Sequence, residues 1–228
     1  MLMAEVRGWS YEGTELAWIH DRLGRPDGGP GHAVSELVPG CFGAYLRIFH
    51  PFQAMDGSGR TCSWRTLAEA YGVPFHAELS HRSLPAGTAP SSGPLWLAES
   101  GQLDDRSRRA LQRCLAPATG DQPVFYAYDL VAMSEDVDSP IERCSSLAGL
   151  DSTHAAVRTE IGDVDGPEFW WPQDRSWVVT SDHDLLSTYI GCSTETARRI
   201  LQADELEVLP VTQQTRVDFY ADESGHLR

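Results

Sequence analysis

Apolar positions recur along this chain in two rhythms, one of helical and one of strand period. Between Glu12 and Leu23, Leu16, Ile19 and Leu23 return at three- and four-residue spacing beside Trp18, which predicts a short amphipathic helix. Gly24 and Pro26 end it, and GRPDGGPG continues as a turn-rich linker. Val34–Val38 reads as a short strand, broken by Pro39-Gly40. From 44 to 49, Tyr45, Arg47 and Phe49 alternate with Ala44, Leu46 and Ile48, a strand whose aliphatic set faces a core. Met55–Thr61 reads as a Gly/Ser loop.

Ser63–Tyr71 is the best-punctuated helix. Ser63 is a good N-cap, Trp64, Leu67, Ala68 and Tyr71 share one face, and Gly72 then Pro74 stop it. Residues 83–94, SLPAGTAPSSGP, predict a flexible surface loop or a domain boundary. Leu103–Leu115 predicts a third helix, with Asp104 and Asp105 in its first turn and Arg113 in its last. VFYAYDLVAM predicts a strand, 134–152 an acidic loop, and 154–161 a further strand. A loop carrying Trp170 and Trp171 leads to a strand at Ser176–Ser181. A turn at Asp182–Asp184 follows, then a strand at Leu185–Ile190. Ser193 caps a helix with Ala197, Ile200 and Leu201 on its apolar face, and Glu205–Val211 is the last strand. Strands and helices mix without regular alternation. The expected class is α+β, a mixed or antiparallel sheet with a few short helices packed on it. Residues 1–228 are expected to form one globular domain.

Composition narrows the chemistry. All 18 basic side chains are arginine, against 33 carboxylates. Without lysine there is no P-loop lysine and no Schiff-base lysine. The net charge of −15 is uneven: residues 129–184 hold 13 acids and 3 arginines, a balance of −10. Such a surface repels phosphates, so no nucleic-acid partner is expected, and it attracts basic proteins. No window is apolar enough to span a membrane, and MLMAEVRGWSYEG does not read as a signal peptide, so the expected compartment is the cytoplasm. Cys41, Cys62, Cys114, Cys144 and Cys192 include no C-x-x-C pair and read as buried free thiols in a reducing compartment.

The run WWPQDRSW, the following VVTSDHDLLSTYIG and the LEV strand resemble a family of uncharacterised proteins from high-GC Gram-positive bacteria. LVPGCFGAYLRIFHP and RALQRCLAPATGDQPVFYAYD are similar to the same family, which implies a shared fold. A looser similarity, carried by Val38-Pro39, Phe42, Tyr45 and Leu46 and by the tryptophans, is to the SMI1/KNR4-like immunity proteins. That similarity implies an acidic protein acting by binding.

Two candidate sites follow. The first is Trp170, Trp171, Asp174, Arg175 and Trp177, because tryptophan and arginine anchor interfaces, with Asp163, Asp165 and Glu168 as an acidic rim that steers a basic protein partner. It makes an immunity-like or adaptor protein the leading expectation, with no metal and no cofactor. The alternative is a metal-assisted hydrolase using Asp182, His183 and Asp184, since carboxylates and imidazole hold divalent ions. Against it, successive strand residues point to opposite faces and Asp is ordinary turn chemistry. His76-Ala-Glu-Leu-Ser-His81 lacks the i, i+4 spacing of a helical zinc motif. There is no G-x-S-x-G elbow. Cys192, just before a predicted helix, is placed where a thiol pKa falls.

Overall fold

The computed structural model describes residues 13–24, 32–84, 94–129, 140–218 and 221–222. Its first elements are α1 (Ala17–His20), a 3₁₀ turn at Val34–Glu36, β1 (Ala44–Phe49), β2 (Phe52–Ala54), β3 (Thr61–Cys62) and α2 (Trp64–Tyr71). There follow β4 (Trp96–Ala98), α3 (Asp105–Thr119), β5 (Val124–Tyr128), β6 (Ile141–Ser145) and α4 (Leu150–Ile161). The chain continues through β7 (Phe169–Pro172), β8 (Val178–Ser181), β9 (Ser187–Cys192), α5 (Thr194–Leu201) and β10 (Val208–Val211). Seven strands form one sheet in the order β10-β1-β9-β8-β7-β5-β6, and β3-β2-β4 form a second. Every pairing in both sheets is antiparallel. The class is therefore α+β.

Strand alternation puts a core on each face of the large sheet. On one face Leu46, Ile48, Tyr126, Trp170, Val179 and Ile190 pack with Leu111 and Leu115 of α3, Val157 of α4 and Ile200 of α5. On the other, Phe169, Trp171, Val178 and Tyr189 pack with Leu16, Trp18 and Ile19 and with Val34, Leu37 and Val38. A third cluster of Phe49, Phe52, Trp64 and Leu67 joins the small sheet to α2.

The start of α2 is held twice. Ser63 Oγ accepts from Thr66 N at 3.1 Å, as the sequence predicts. From the other end of the chain, the Glu207 carboxylate accepts from Trp64 N at 2.6 Å and Arg65 N at 2.8 Å. Gly72 ends the helix at φ 68°, where a Cβ is strained. Glu207→Ala removes an anion from the positive end of the helix and its acceptor from two first-turn N–H groups. Urea denaturation should register a loss of about 1–2 kcal/mol; an unchanged midpoint would show that this cap is idle.

Several expected elements differ. The segment Val34–Val38 holds the 3₁₀ turn Val34–Glu36 rather than a strand, and Val34, Leu37 and Val38 all bury at a three- to four-residue spacing. Residues 154–161 lie in α4, not in a strand, with Leu150 and Val157 buried seven apart on one face. The acidic stretch 134–152 contains β6 and the start of α4, while 134–139 falls outside the described residues. Trp170 and Trp171 stand in β7, not in a loop. The helix around Leu16–Leu23 contracts to α1 and its flanking turns, with Glu12 outside the described residues. Most of the linker after Gly24, most of 83–94 and the end of VFYAYDLVAM also lie outside them.

Candidate functional site

The tryptophan segment is core. In β7 the two rings point to opposite faces. Trp170 packs edge-on against Trp177 at 5.6 Å, and Trp171 stacks on Phe125 at 5.7 Å. Trp177 is fully buried, and its Nε1–H donates to Thr119 Oγ1 at 3.1 Å. Because both faces of the sheet are covered, none of the three rings is left as an exposed anchor. Glu168 is also buried and accepts from Asp129 N at 2.6 Å, so it is not part of a rim. Asp163 and Asp165 are exposed, and Asp163 pairs with Arg158. In the β7–β8 turn, Asp174 Oδ1 accepts from Ser176 N at 3.0 Å. Arg175 takes φ 57° there and lays its guanidinium 5.0 Å from the Trp18 ring.

The β8–β9 turn behaves differently. A continuing strand would separate Asp182, His183 and Asp184, but here the chain reverses. Asp184 N donates to Asp182 Oδ1 at 2.9 Å, and Leu185 N to the Asp182 carbonyl at 2.9 Å. The His183 ring lies between the two carboxylates, with Nε2 3.3 Å from Asp184 Oδ1 and Nδ1 3.7 Å from Asp182 Oδ1. One ligand atom from each residue falls within 4.8 Å of the others, so the trio converges. Asp182 is fully buried at its side chain, while His183 and Asp184 are partly open. Two carboxylates and an imidazole suit Zn²⁺ or Mn²⁺.

Beside Asp184 is a cavity of about 20 Å³ lined by Arg47, His81, Ser187 and Tyr189. Arg47 is 6% exposed. Its Nε donates to Ser187 Oγ at 2.8 Å and Nη1 to the Ala77 carbonyl at 2.7 Å. The guanidinium sits 4.1 Å from the Phe49 ring. No carboxylate among the described residues forms an ion pair with it, although Glu78 and Asp222 act on it from further away. Composition could not single out this arginine. The only hint in the sequence is a charge at a strand position flanked by aliphatic residues.

The remaining candidates resolve simply. His76 and Glu78 form a local turn, with Glu78 N donating to His76 Nδ1 at 3.3 Å, and the Glu78 carboxylate accepts from Arg216 N at 2.9 Å. All five cysteines are free, but only Cys192 is buried, and Cys41 and Cys144 are exposed. Cys192 is not activated by the start of α5, because burial pushes its thiol up to about 12. No helix among the described residues is long and apolar enough to cross a membrane.

In comparison with known proteins, no family model matches the chain, and no curated protein and no solved structure matches it. The two resemblances therefore rest on their motifs alone.

Proposed function

We propose that this chain is a metal-assisted hydrolase whose divalent cation is held by Asp182, His183 and Asp184. The observation that carries the reading is the convergence of three donor groups in a turn where strand geometry would have parted them. Three protein ligands are the number found in catalytic sites that keep a position for water. A bound cation would supply Lewis acidity and lower the pKa of that water. The adjacent cavity is large enough for one water molecule, which needs roughly 10–15 Å³. Arg47, buried and without an ion-pair partner among the described residues, lines the same cavity as Asp184 and would offer positive charge to negative charge developing there.

Protein contact is a second reading, favoured by the exposure of Asp163 and Asp165 in the acidic segment 129–184. It would run on charge rather than on aromatic anchors, because those are in the core.

The test is thermal unfolding with and without Mn²⁺ or Zn²⁺, alongside calorimetric titration. A cation present at about 100 times its Kd stabilises by about 2.7 kcal/mol, a rise of several degrees for a chain of this length. Asp184→Ala should keep the fold and lose the rise. An equal rise in that variant, or no rise with either ion in the parent chain, would overturn the proposal.

A further inference from the structure

On the opposite face of the sheet from Asp182, a second cavity of about 90 Å³ opens between α3, α4 and the ends of β7 and β8. Ser181 lines it with residues of one core, Leu103, Leu150 and Trp170, whereas the cavity beside Asp184 is lined by Leu185 and Tyr189 of the other. Leu103, Leu150 and the Trp170 ring form the apolar walls of this second cavity, and Arg108, Asp151 and Ser181 are among its polar groups. Apolar walls with a few polar groups are the usual composition of a small-ligand site.

The direction of hydrogen bonding at Ser181 is fixed from deep inside the core. His50 Nδ1 lies 3.0 Å from the Glu99 carbonyl, which can only accept, so Nδ1 carries a proton. Burial lowers the His50 pKa to about 4, so the ring is neutral at pH 7 and Nε2 is an acceptor. Thr188 Oγ1, 3.0 Å away, must therefore donate to Nε2. Its only proton is then used, so its 2.8 Å contact with Ser181 is one that Ser181 donates. With its proton committed inward, Ser181 Oγ can offer a ligand only lone pairs.

Arg108 presents the complement. Its Nη2 is held by Asp105 and Asp151, both at 2.8 Å, while its buried Nε–H has no partner among the described residues. Asp105 is shared with Arg109 at 3.6 Å, so the two arginines and two carboxylates balance on this side of the cavity. An anionic ligand is disfavoured at Ser181 instead, where its lone pairs would meet those of Oγ. A cationic ligand could donate to Ser181 but could not accept from Arg108.

We infer that this cavity binds a small uncharged amide, which donates N–H to Ser181 Oγ, accepts from Arg108 Nε at its carbonyl, and lays an apolar body against Trp170. A volume of about 90 Å³ suits a short branched amide. The inference stands apart from the cation site, since the two lie on opposite faces.

The test uses three compounds of one shape: isobutyramide, isobutyrate and isobutyramidine. Each is titrated into the full chain while the Trp170 indole N–H is followed by NMR, its resonance assigned by loss in Trp170→Phe. Isobutyramide should shift that resonance saturably. The carboxylate and the amidine should bind about tenfold more weakly, since each leaves one polar group of the cavity unmatched. Ser181→Ala should narrow the gap between amide and carboxylate. Arg108→Gln, a partly exposed position, provides a second variant in which amide binding weakens. Absence of a saturable shift, binding of isobutyrate equal to that of the amide, or an undiminished gap in Ser181→Ala would each overturn the inference.

Discussion

Trp171→Ala should lower the unfolding free energy by about 3–5 kcal/mol. The ring is 1% exposed, stacked on Phe125 and met edge-on by Trp18 at 6.1 Å. Its removal takes away a large buried apolar area and leaves a space that three neighbouring elements cannot easily refill. Domains typically have only about 5–15 kcal/mol in hand, so the variant should sit close to unfolding at room temperature. The same substitution at Arg175, which is on the surface of the adjoining turn, should change stability by less than about 1 kcal/mol. Urea titration of both variants checks the contrast. A Trp171→Ala chain as stable as the parent would return this ring to the surface and restore the aromatic-anchor reading.

A second large effect should come with acid. Burial holds His50 at about 4, against 6.5 for a solvated imidazole, with the bond to the Glu99 carbonyl opposing that shift. Between those two values the unfolded chain binds a proton that the folded chain does not. Stability must therefore fall as pH drops through that window, and it is unaffected by this group above it. The difference of 2.5 between 6.5 and about 4 corresponds to about 3 kcal/mol. His50→Gln, measured beside the parent by urea unfolding from pH 7 to pH 4, should show a shallower decline. Superimposable pH profiles would mean that His50 is not the group whose protonation opens the core.

Much of this architecture is written locally. Ser63 and Gly72 bracket α2, Ser193 opens α5, and β1 shows its alternation plainly, because caps and short-period patterns depend only on neighbouring residues. What escaped depends on distant partners. Residues 154–161 are helical because Val157 finds α3 and the sheet, while the alanines and threonines around it leave only a thin apolar stripe to read. The two tryptophans of β7 look like loop anchors between Gly166-Pro167 and Pro172. They are strand residues because both faces of the sheet are covered. The Asp182–Asp184 cluster is visible in the sequence, but its convergence comes from a chain reversal that alternation does not predict. The Ser181–Thr188–His50 chain could not be read at all, since Thr188 and His50 stand 138 residues apart.

The place of β1 in the sheet also bears on how the chain is made. Its two neighbours are β9 and β10, in registers that set Ala44 opposite Cys192 and Tyr45 opposite Val211. From Phe49 to Ser187, the first residue of β9, is 187 − 49 = 138 residues. At roughly 5–20 residues per second, a ribosome takes about 7–28 seconds to supply the first partner after β1 has been synthesised. Throughout that interval Leu46 and Ile48 belong to a strand with two open edges. Contacts of such long range also make for slow folding. Nascent chains arrested before residue 187 should therefore be the species that chaperones retain, and release should follow once β9 has cleared the exit tunnel.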